Sequence, residues 1–246
     1  MYPAANAAYV IMGVPQPPLL LPVGYSLVGA IHADPTKAFA AMLQAHPDHQ
    51  RMATATLAES SIFGFVAWNA AAQNAIVSIR GTQTIWDWLD DFDAAPTPFL
   101  PDPGAGLAHM GFQLVYLQIR DSIRQLITSG CPGVRDIWVT GHSLGAAVAI
   151  LCALDVVRNY GLGIIPQLYT FAGPRPGDAV FQNTFNAAIG NCQRIVNFMD
   201  VVPQVPLPPL YEHVGNETLV NGGFKPLDVT YAHHLTTYLN GIQKMT

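Results

Sequence analysis

The sequence predicts an α/β fold with a mostly parallel central sheet flanked by helices. Three observations lead there. Half of the 246 residues are apolar and only 11% are charged, enough apolar material for a large core. Short β-branched and aromatic runs alternate along the chain with stretches of helical periodicity. One of these alternations, Asp136 to Leu154, is a strand, a glycine-bracketed turn and a helix in direct succession. Strands separated by helices are the pattern of a parallel sheet, because each crossover must return to the same edge.

The elements follow in order. The N-terminus reads as a helix, Tyr25–His32 as a strand and Ala38–Gln44 as a helix. Ser61 to Ile79 reads as a hairpin with its turn at Asn69–Asn74, and the arm Ala75–Ile79 has the composition of a core strand. Ile85, Trp88, Leu89 and Phe92 recur at i, i+3, i+4 and i+7, one apolar helix face, while Trp86, Asp87, Asp90, Asp91 and Asp93 take the other faces. Phe112–Ser129 has helical spacing through Leu114, Leu117 and Ile123 and stops at Gly130. Asp136–Thr140 is a buried strand, and the small and aliphatic run from Ala146 to Leu154 is a buried helix ending near Gly161. A strand at Gln167–Phe171, a helix around Ala179–Ile189, a strand ending at Asp200 and a helix starting near His233 complete the chain. The proline-rich stretches Pro15 to Pro22, Pro96 to Pro103 and Pro203 to Pro209 are short enough to be loops. No repeat, low-complexity tract or long charge run interrupts residues 1–246, so a single domain is expected.

The chemistry centres on the turn Gly141-His142-Ser143-Leu144-Gly145. A Gly-x-Ser-x-Gly between a strand and a helix is the setting of a nucleophile elbow, with the serine hydroxyl lifted clear of the sheet. A side chain at either glycine would collide with the adjoining strand or helix. A serine nucleophile needs a base, and the base an orienting acid, and in such elbows acid and base follow the serine in that order. Asp200 lies at the end of an apolar strand, where a buried acid facing the elbow should sit. Asp178 suits a turn or helix cap, and Asp228, in a loop after Pro226, is the weaker rival. Among later histidines, His213 lies in Tyr211–Gly215, whose alternation looks like a strand, and reads as a structural or rim histidine. His233 and His234 start the last helical segment. Adjacent helical residues point about 100° apart, so only one of them can reach Ser143, and their chemistry does not separate them.

Composition excludes several classes. A net charge of −5 argues against a nucleic-acid partner and against tight binding to anionic membranes. No apolar stretch reaches transmembrane length. The N-terminus lacks the basic residues and cleavage pattern of a signal peptide, which points to a cytoplasmic protein, or to a secreted one whose leader is not part of this chain. The three cysteines cannot all pair, and Cys152 reads as a core filler. No cysteine or histidine spacing resembles a zinc site. His46-Pro47-Asp48-His49 comes nearest and reads as a solvated loop.

Five stretches in order resemble the class 3 lipases, the fungal-lipase-like branch of the α/β-hydrolases, from about Gly64 to Tyr238. They are Arg80-Gly81-Thr82-Gln83-Thr84 with Trp88 and Asp91; His109-Met110-Gly111-Phe112; Gly141 to Gly145; Tyr169 to Arg175; and Asn197 to Pro203. A sixth, His233 followed by Tyr238-Leu239, is similar to the family's terminal histidine motif and favours His233 over His234. The resemblance implies a triad of Ser143, Asp200 and His233. It implies an oxyanion hole of Thr82 and the N–H of Leu144, and a helical lid at about residues 84–93 carrying Ile85, Trp86, Trp88, Leu89 and Phe92. The implied activity is that of a carboxylic ester hydrolase, foremost a triacylglycerol lipase acting at a lipid–water interface without cofactor or metal. A short-chain, feruloyl or phospholipid A1 esterase would use the same triad, and the rival of another class is a catalytically silent binding scaffold. The scarcity of cysteine departs from the disulfide-bearing secreted members and favours a reducing compartment or a bacterial relative.

Overall fold

The computed structural model describes residues 1–10, 21–34, 62–82, 96–225, 228 and 230–245. The helix expected at Ala38–Gln44 and the candidate lid at 84–93 lie outside these residues. The described helices are α1 (Tyr2–Val10), α2 (Met110–Gly130), α3 (Leu144–Asn159), α4 (Ala179–Ala188) and α5 (Leu235–Gln243). The main-sheet strands are β1 (Ser26–His32), β2 (Ile62–Asn69), β3 (Asn74–Ile79), β6 (Asp136–His142), β7 (Gln167–Phe171), β8 (Cys192–Asn197) and β9 (Asn216–Val220). The short strands β4 (Pro96–Pro98) and β5 (Leu107–His109) pair apart from it.

Among the described residues the main sheet runs β1-β2-β3-β6-β7-β8-β9. β1, β2 and β3 pair antiparallel, and every pairing from β3 onward is parallel. The sheet is therefore mostly parallel, as expected. The parallel strands β3, β6 and β8 all end at one edge, and the segments after them carry Thr82, Ser143 and Asp200. In an open parallel sheet the crevice beyond the strands' carboxyl ends is where ligands bind.

Helices cover both faces. On one, α2, α3 and α4 bury Phe112, Ile119, Val148, Leu151, Phe181 and Phe185 against Val77, Val139 and Leu168. On the other, the alanines of α1 let its backbone approach the sheet: Ala4, Ala7 and Ala8 pack on Phe65, Ala67 and Ile76. The Ser78 hydroxyl donates to the Ala4 carbonyl at 2.8 Å, satisfying a buried polar group in that contact. α5 packs Leu235 and Tyr238 with Phe171, Ile195 and Val220 on the same side.

Two expectations need correction. Tyr211–Gly215 is not a strand. It makes one isolated bridge, between Glu212 and Gly177, and the chain reaches a left-handed conformation at Gly215 (φ 68°) before β9 begins at Asn216. Its alternation reflects burial of Tyr211 and Val214 beneath the loops rather than a pleat. The proline-rich stretch from Pro96 is also more than a loop, since Pro96–Pro98 pairs with β5 in a two-stranded ribbon, where edge positions tolerate proline.

α2 and α3 are joined by a buried carboxylate. Asp155 is fully buried and accepts from the Tyr116 hydroxyl at 2.6 Å, from Arg120 Nε and Nη2 at 2.6 and 3.0 Å, and from Asn159 Nδ2 at 2.6 Å. Truncating it would strand a buried phenol and a largely buried guanidinium. Asp155→Ala should therefore cost about 3 kcal/mol of stability, the low end for breaking a buried pair because Arg120 keeps some solvent contact. Urea unfolding measures it. A loss under about 1 kcal/mol, the worth of a surface pair, would mean that the helices do not depend on this network.

Candidate active site

The site is assembled from backbone contacts first. Ser143 follows β6 directly and caps α3 with φ 60° and ψ −130°, a left-handed-side conformation that a residue with a Cβ adopts only under constraint. The constraint is visible in the two glycines. A Cβ on Gly141 would lie 2.1 Å from the Gly145 carbonyl oxygen, and one on Gly145 would lie 2.4 Å from the carbonyl oxygens of both Ile79 and Arg80. Strand, turn and helix meet backbone to backbone, as the motif implied. The Ser143 N–H donates to the Phe171 carbonyl at 2.9 Å, tying the turn to β7.

Arg80 holds the neighbouring turn. Its buried guanidinium donates from Nε to the Ile62 carbonyl at 2.8 Å and from Nη1 to Gly81 at 2.7 Å, and lies 4.7 Å from the centre of the Phe63 ring. Thr82, two residues on, is buried just past the carboxyl end of β3. Leu144 is the first residue of α3, in the turn whose N–H groups have no acceptor within the helix. Both positions suit donors to an oxyanion.

Asp200 follows β8 through a turn closed by its N–H on the Asn197 carbonyl at 2.9 Å. Its carboxylate is buried and takes three donors. Val202 N–H reaches Oδ1 at 3.0 Å, and His233 Nδ1 and the Tyr238 hydroxyl reach Oδ2 at 2.9 and 2.6 Å. His233 ends a short 3₁₀ turn, Tyr231–His233, that Asp228 caps by accepting from Thr230 Oγ1 at 2.7 Å and Tyr231 N–H at 3.1 Å. Asn197 clasps the same turn, donating from Nδ2 to the Ala232 carbonyl at 2.8 Å. Asp228 thus shapes the loop that carries His233. Asp178 caps α4, accepting from Phe181 N–H at 2.8 Å.

The turn separates the two histidines. His233 is buried on Asp200, while His234 is exposed at the start of α5 with Nε2 3.2 Å from the Thr230 hydroxyl. His213 is remote in role. Its Nε2 donates to the Pro203 carbonyl at 2.8 Å, and burial, with Arg194 and Arg175 nearby, pushes it down to about 3, so it stays neutral. Two buried polar atoms have no hydrogen-bond partner among the described residues and bear on the chemistry: Ser143 Oγ and His233 Nε2.

Two side chains escaped sequence reasoning. His142 occupies the variable place between Gly141 and Ser143, and its Nε2–H donates to the His233 carbonyl at 2.8 Å. Burial first, and His233 second, hold it well below the ordinary imidazole range, so it is a neutral donor. Tyr238 was noted as an aromatic, but its hydroxyl contact with Asp200 depends on tertiary placement. Among the described residues no group of histidines, cysteines or carboxylates is arranged to hold a metal, and no helix is long and apolar enough to cross a membrane. All three cysteines are buried and free.

The profile of the family described as lipase (class 3) matches residues 76–209, more than half of the chain and all of the elbow and acid segments. The chain belongs to the class 3 lipase family. Its relatives include a secreted mono- and diacylglycerol lipase 1 of Fusarium solani, 30% identical over 70% of this chain and 51% of that protein. Phospholipase A1-II 6 of rice, Oryza sativa subsp. japonica, is 29% identical over 69% of this chain and 50% of its own length. This lipase-family chain thus spans about half the length of the curated relatives it matches. The Lip2 lipase of Yarrowia lipolytica superposes with a TM-score of 0.65 at 25% identity, over 89% of this chain and 76% of that one. The architecture is accordingly the α/β-hydrolase fold, with its sheet, elbow and flanking helices in the arrangement described above.

The elbow contact can be tested directly. Gly145→Ala should destabilise the protein by about 1–3 kcal/mol through overpacking, because its Cβ meets backbone that cannot swing aside. Gly190→Ala, where nothing among the described residues lies within 4 Å of the added carbon, is the control and should be near neutral. Equal melting temperatures for the two variants would show that the elbow has slack.

Proposed function

We propose that this chain hydrolyses carboxylic esters through Ser143, His233 and Asp200, with acylglycerols as the substrate class. The observation that carries the reading is a buried His233–Asp200 pair tied to His142, the neighbour of an elbow serine whose Oγ, like His233 Nε2, has no partner among the described residues. Ser143 Oγ attacks the ester carbonyl while His233 Nε2 takes its proton. Asp200 keeps the Nδ1–H tautomer and stabilises the imidazolium. The N–H groups of Thr82 and Leu144 receive the negative oxygen of the tetrahedral intermediate. Its collapse expels the alcohol, protonated by His233, and leaves an acyl-serine. Water, deprotonated by the same imidazole, then releases the carboxylic acid and restores Ser143.

The relatives' names support acylglycerols first, through the mono- and diacylglycerol lipase, and phospholipid sn-1 esters second, through the rice phospholipases A1. Purified protein assayed on tributyrin, triolein and phosphatidylcholine separates them. Ser143→Ala should lower ester hydrolysis at least about 10⁴-fold with the fold intact, as loss of a triad nucleophile does. His233→Ala should be comparably impaired, and His234→Ala should stay within about tenfold of wild type, since that imidazole faces solvent. Wild-type turnover in Ser143→Ala, or a dead His234→Ala beside an active His233→Ala, would overturn these assignments.

The lid reading rests on the apolar spacing of Ile85, Trp88, Leu89 and Phe92. Opening such a helix in water exposes four large side chains at roughly 1.5–3 kcal/mol each, so the open form is scarce until a lipid surface receives them. Hydrolysis of tributyrin should jump as its concentration passes the solubility limit, and Trp88→Ser with Leu89→Ser should shrink the jump. A smooth hyperbola in wild type would make residues 85–92 a fixed helix and the protein an esterase without interfacial activation.

A further inference from the structure

The acid and base at the candidate site are held by two side chains with no assigned role. The Tyr238 hydroxyl donates to Asp200 Oδ2 at 2.6 Å, the same oxygen that accepts from His233 Nδ1 at 2.9 Å. At the backbone of the base, His142 Nε2–H donates to the His233 carbonyl at 2.8 Å. The two braces also touch each other. The His142 ring lies 4.7 Å from the His233 ring and meets the Tyr238 ring edge-on at 6.3 Å, centre to centre. Tyr238 is fully buried and His142 nearly so.

We propose that Tyr238 and His142 are positioning residues for the base, Tyr238 by sharing the Asp200 oxygen and His142 by fixing the His233 backbone to the elbow. The inference rests on the triad reading above and deepens it. Each brace leaves from an element that already carries a reacting group: His142 is bonded to Ser143, and Tyr238 lies one turn into the helix that follows His233. Together they fix the distance between nucleophile and base through side chains that do not touch the ester.

The two braces act on different quantities. A carboxylate oxygen that accepts a second strong hydrogen bond has less negative charge to offer an imidazolium. Tyr238 therefore weakens the hold of Asp200 on the imidazolium that forms when His233 takes the serine proton. Burial, and after it the Asp200 charge, raise the phenol well above its ordinary range, so it donates across the working pH. The other titratable groups facing His233 are Asp200, from the turn after β8, and His142, at the end of β6, with exposed His234 next in the chain. His142, held neutral by burial, adds no charge. Its loss would instead leave the His233 carbonyl without that donor and the base loop free to shift.

The test is steady-state kinetics on a soluble short-chain p-nitrophenyl ester from pH 5 to 9, with folding followed by circular dichroism. Tyr238→Phe keeps the ring and removes only the hydroxyl. Its kcat/KM profile should keep one rising limb, displaced to higher pH by about half to one unit, the effect of one hydrogen bond on a neighbouring equilibrium. kcat at neutral pH should fall severalfold with KM nearly unchanged. His142→Leu should lower kcat about tenfold without displacing the limb, and His142→Gln, whose amide can donate to the same carbonyl, should recover most of that loss. A merely structural role for Tyr238 would lower the melting temperature and leave the limb in place, which overturns the proposal for that residue. Equal kcat in His142→Leu and wild type, or no difference between Leu and Gln, overturns it for His142. Should either variant fail to fold, the rate of fluorophosphonate labelling in Tyr238→Trp and His142→Asn, against wild type at each pH, provides the same comparison. If wild type neither hydrolyses esters nor labels at Ser143, the triad reading itself has failed, an outcome distinct from a normal wild type with an unmoved Tyr238→Phe.

Discussion

The molecule depends on a contact between backbones. Gly145, at the start of α3, lies against the carbonyl oxygens of Ile79 and Arg80 at the end of β3, and Gly141 lies against Gly145 itself. Because these atoms meet without side chains between them, β6 must turn into α3 within one residue, and Ser143 takes the positive φ that results. That strain, on the order of 1–3 kcal/mol for a residue in this region, persists only where surrounding structure over-determines it. Here it is over-determined from three sides. β3 presses from one side, the Phe171 carbonyl of β7 accepts the Ser143 N–H from another, and α3 is buried along nearly its whole length behind it. The same contact brings Thr82 near, since the strand that closes on Gly145 is the one that leads to it.

Parallel topology does the rest of the gathering. β3, β6 and β8 run in one direction, so their carboxyl ends share an edge, and the segments that follow can meet although they lie up to 118 residues apart, from Thr82 to Asp200. The proposed base, His233, comes from beyond β9, on a short 3₁₀ turn. Asp228 closes that turn from within, Asn197 clasps it from β8, and His142 ties it to β6. Asn197 and His142 are neutral side chains on backbone carbonyls, which fixes position without adding net charge beside the imidazole.

What could be read from the sequence and what could not divides along the range of the interactions. The elbow was legible because its determinants are local: two glycines, a serine, a β-branched strand before and a run of alanines after. The α2 and α3 helices were legible for the same reason, as were the alternation that makes the sheet mostly parallel and the strand that leads to Asp200. Between His233 and His234 the residues' own chemistry did not choose, and only the resemblance in the spacing to Tyr238 favoured His233; a 3₁₀ turn closed by Asp228 sets which imidazole faces inward. Tyr211–Gly215 misled because alternating burial arises wherever a segment is half covered. Here it comes from His213 reaching the Pro203 carbonyl and from Tyr211 and Val214 pointing inward, with Gly215 breaking the chain direction before β9. His142 sits at a place in the motif defined as variable, so nothing local marks it.

The polar accounting at the site shows why these supporting residues matter. Buried polar groups in folded proteins are nearly all paired, and an orphan commonly costs about 1–3 kcal/mol. Around the candidate site Asp200 has three donors, Asn197 pairs both ends of its amide, and Tyr238 has its partner. Ser143 Oγ and His233 Nε2 are buried near these paired groups and have no partner among the described residues. In the Nδ1–H tautomer Nε2 is an acceptor, and a freely turning imidazole would carry it toward other donors. It is prevented from doing so at Nδ1 by Asp200, at its backbone carbonyl by His142 and at its backbone N–H by the Thr230 carbonyl. Ser143 Oγ and His233 Nε2 are among several buried side-chain atoms without a partner among the described residues, and they are the two whose chemistry, nucleophile and proton acceptor, the proposed reaction uses. An arrangement preorganised in that way needs little rearrangement when charge develops there, which is the condition under which fixed dipoles lower a barrier most.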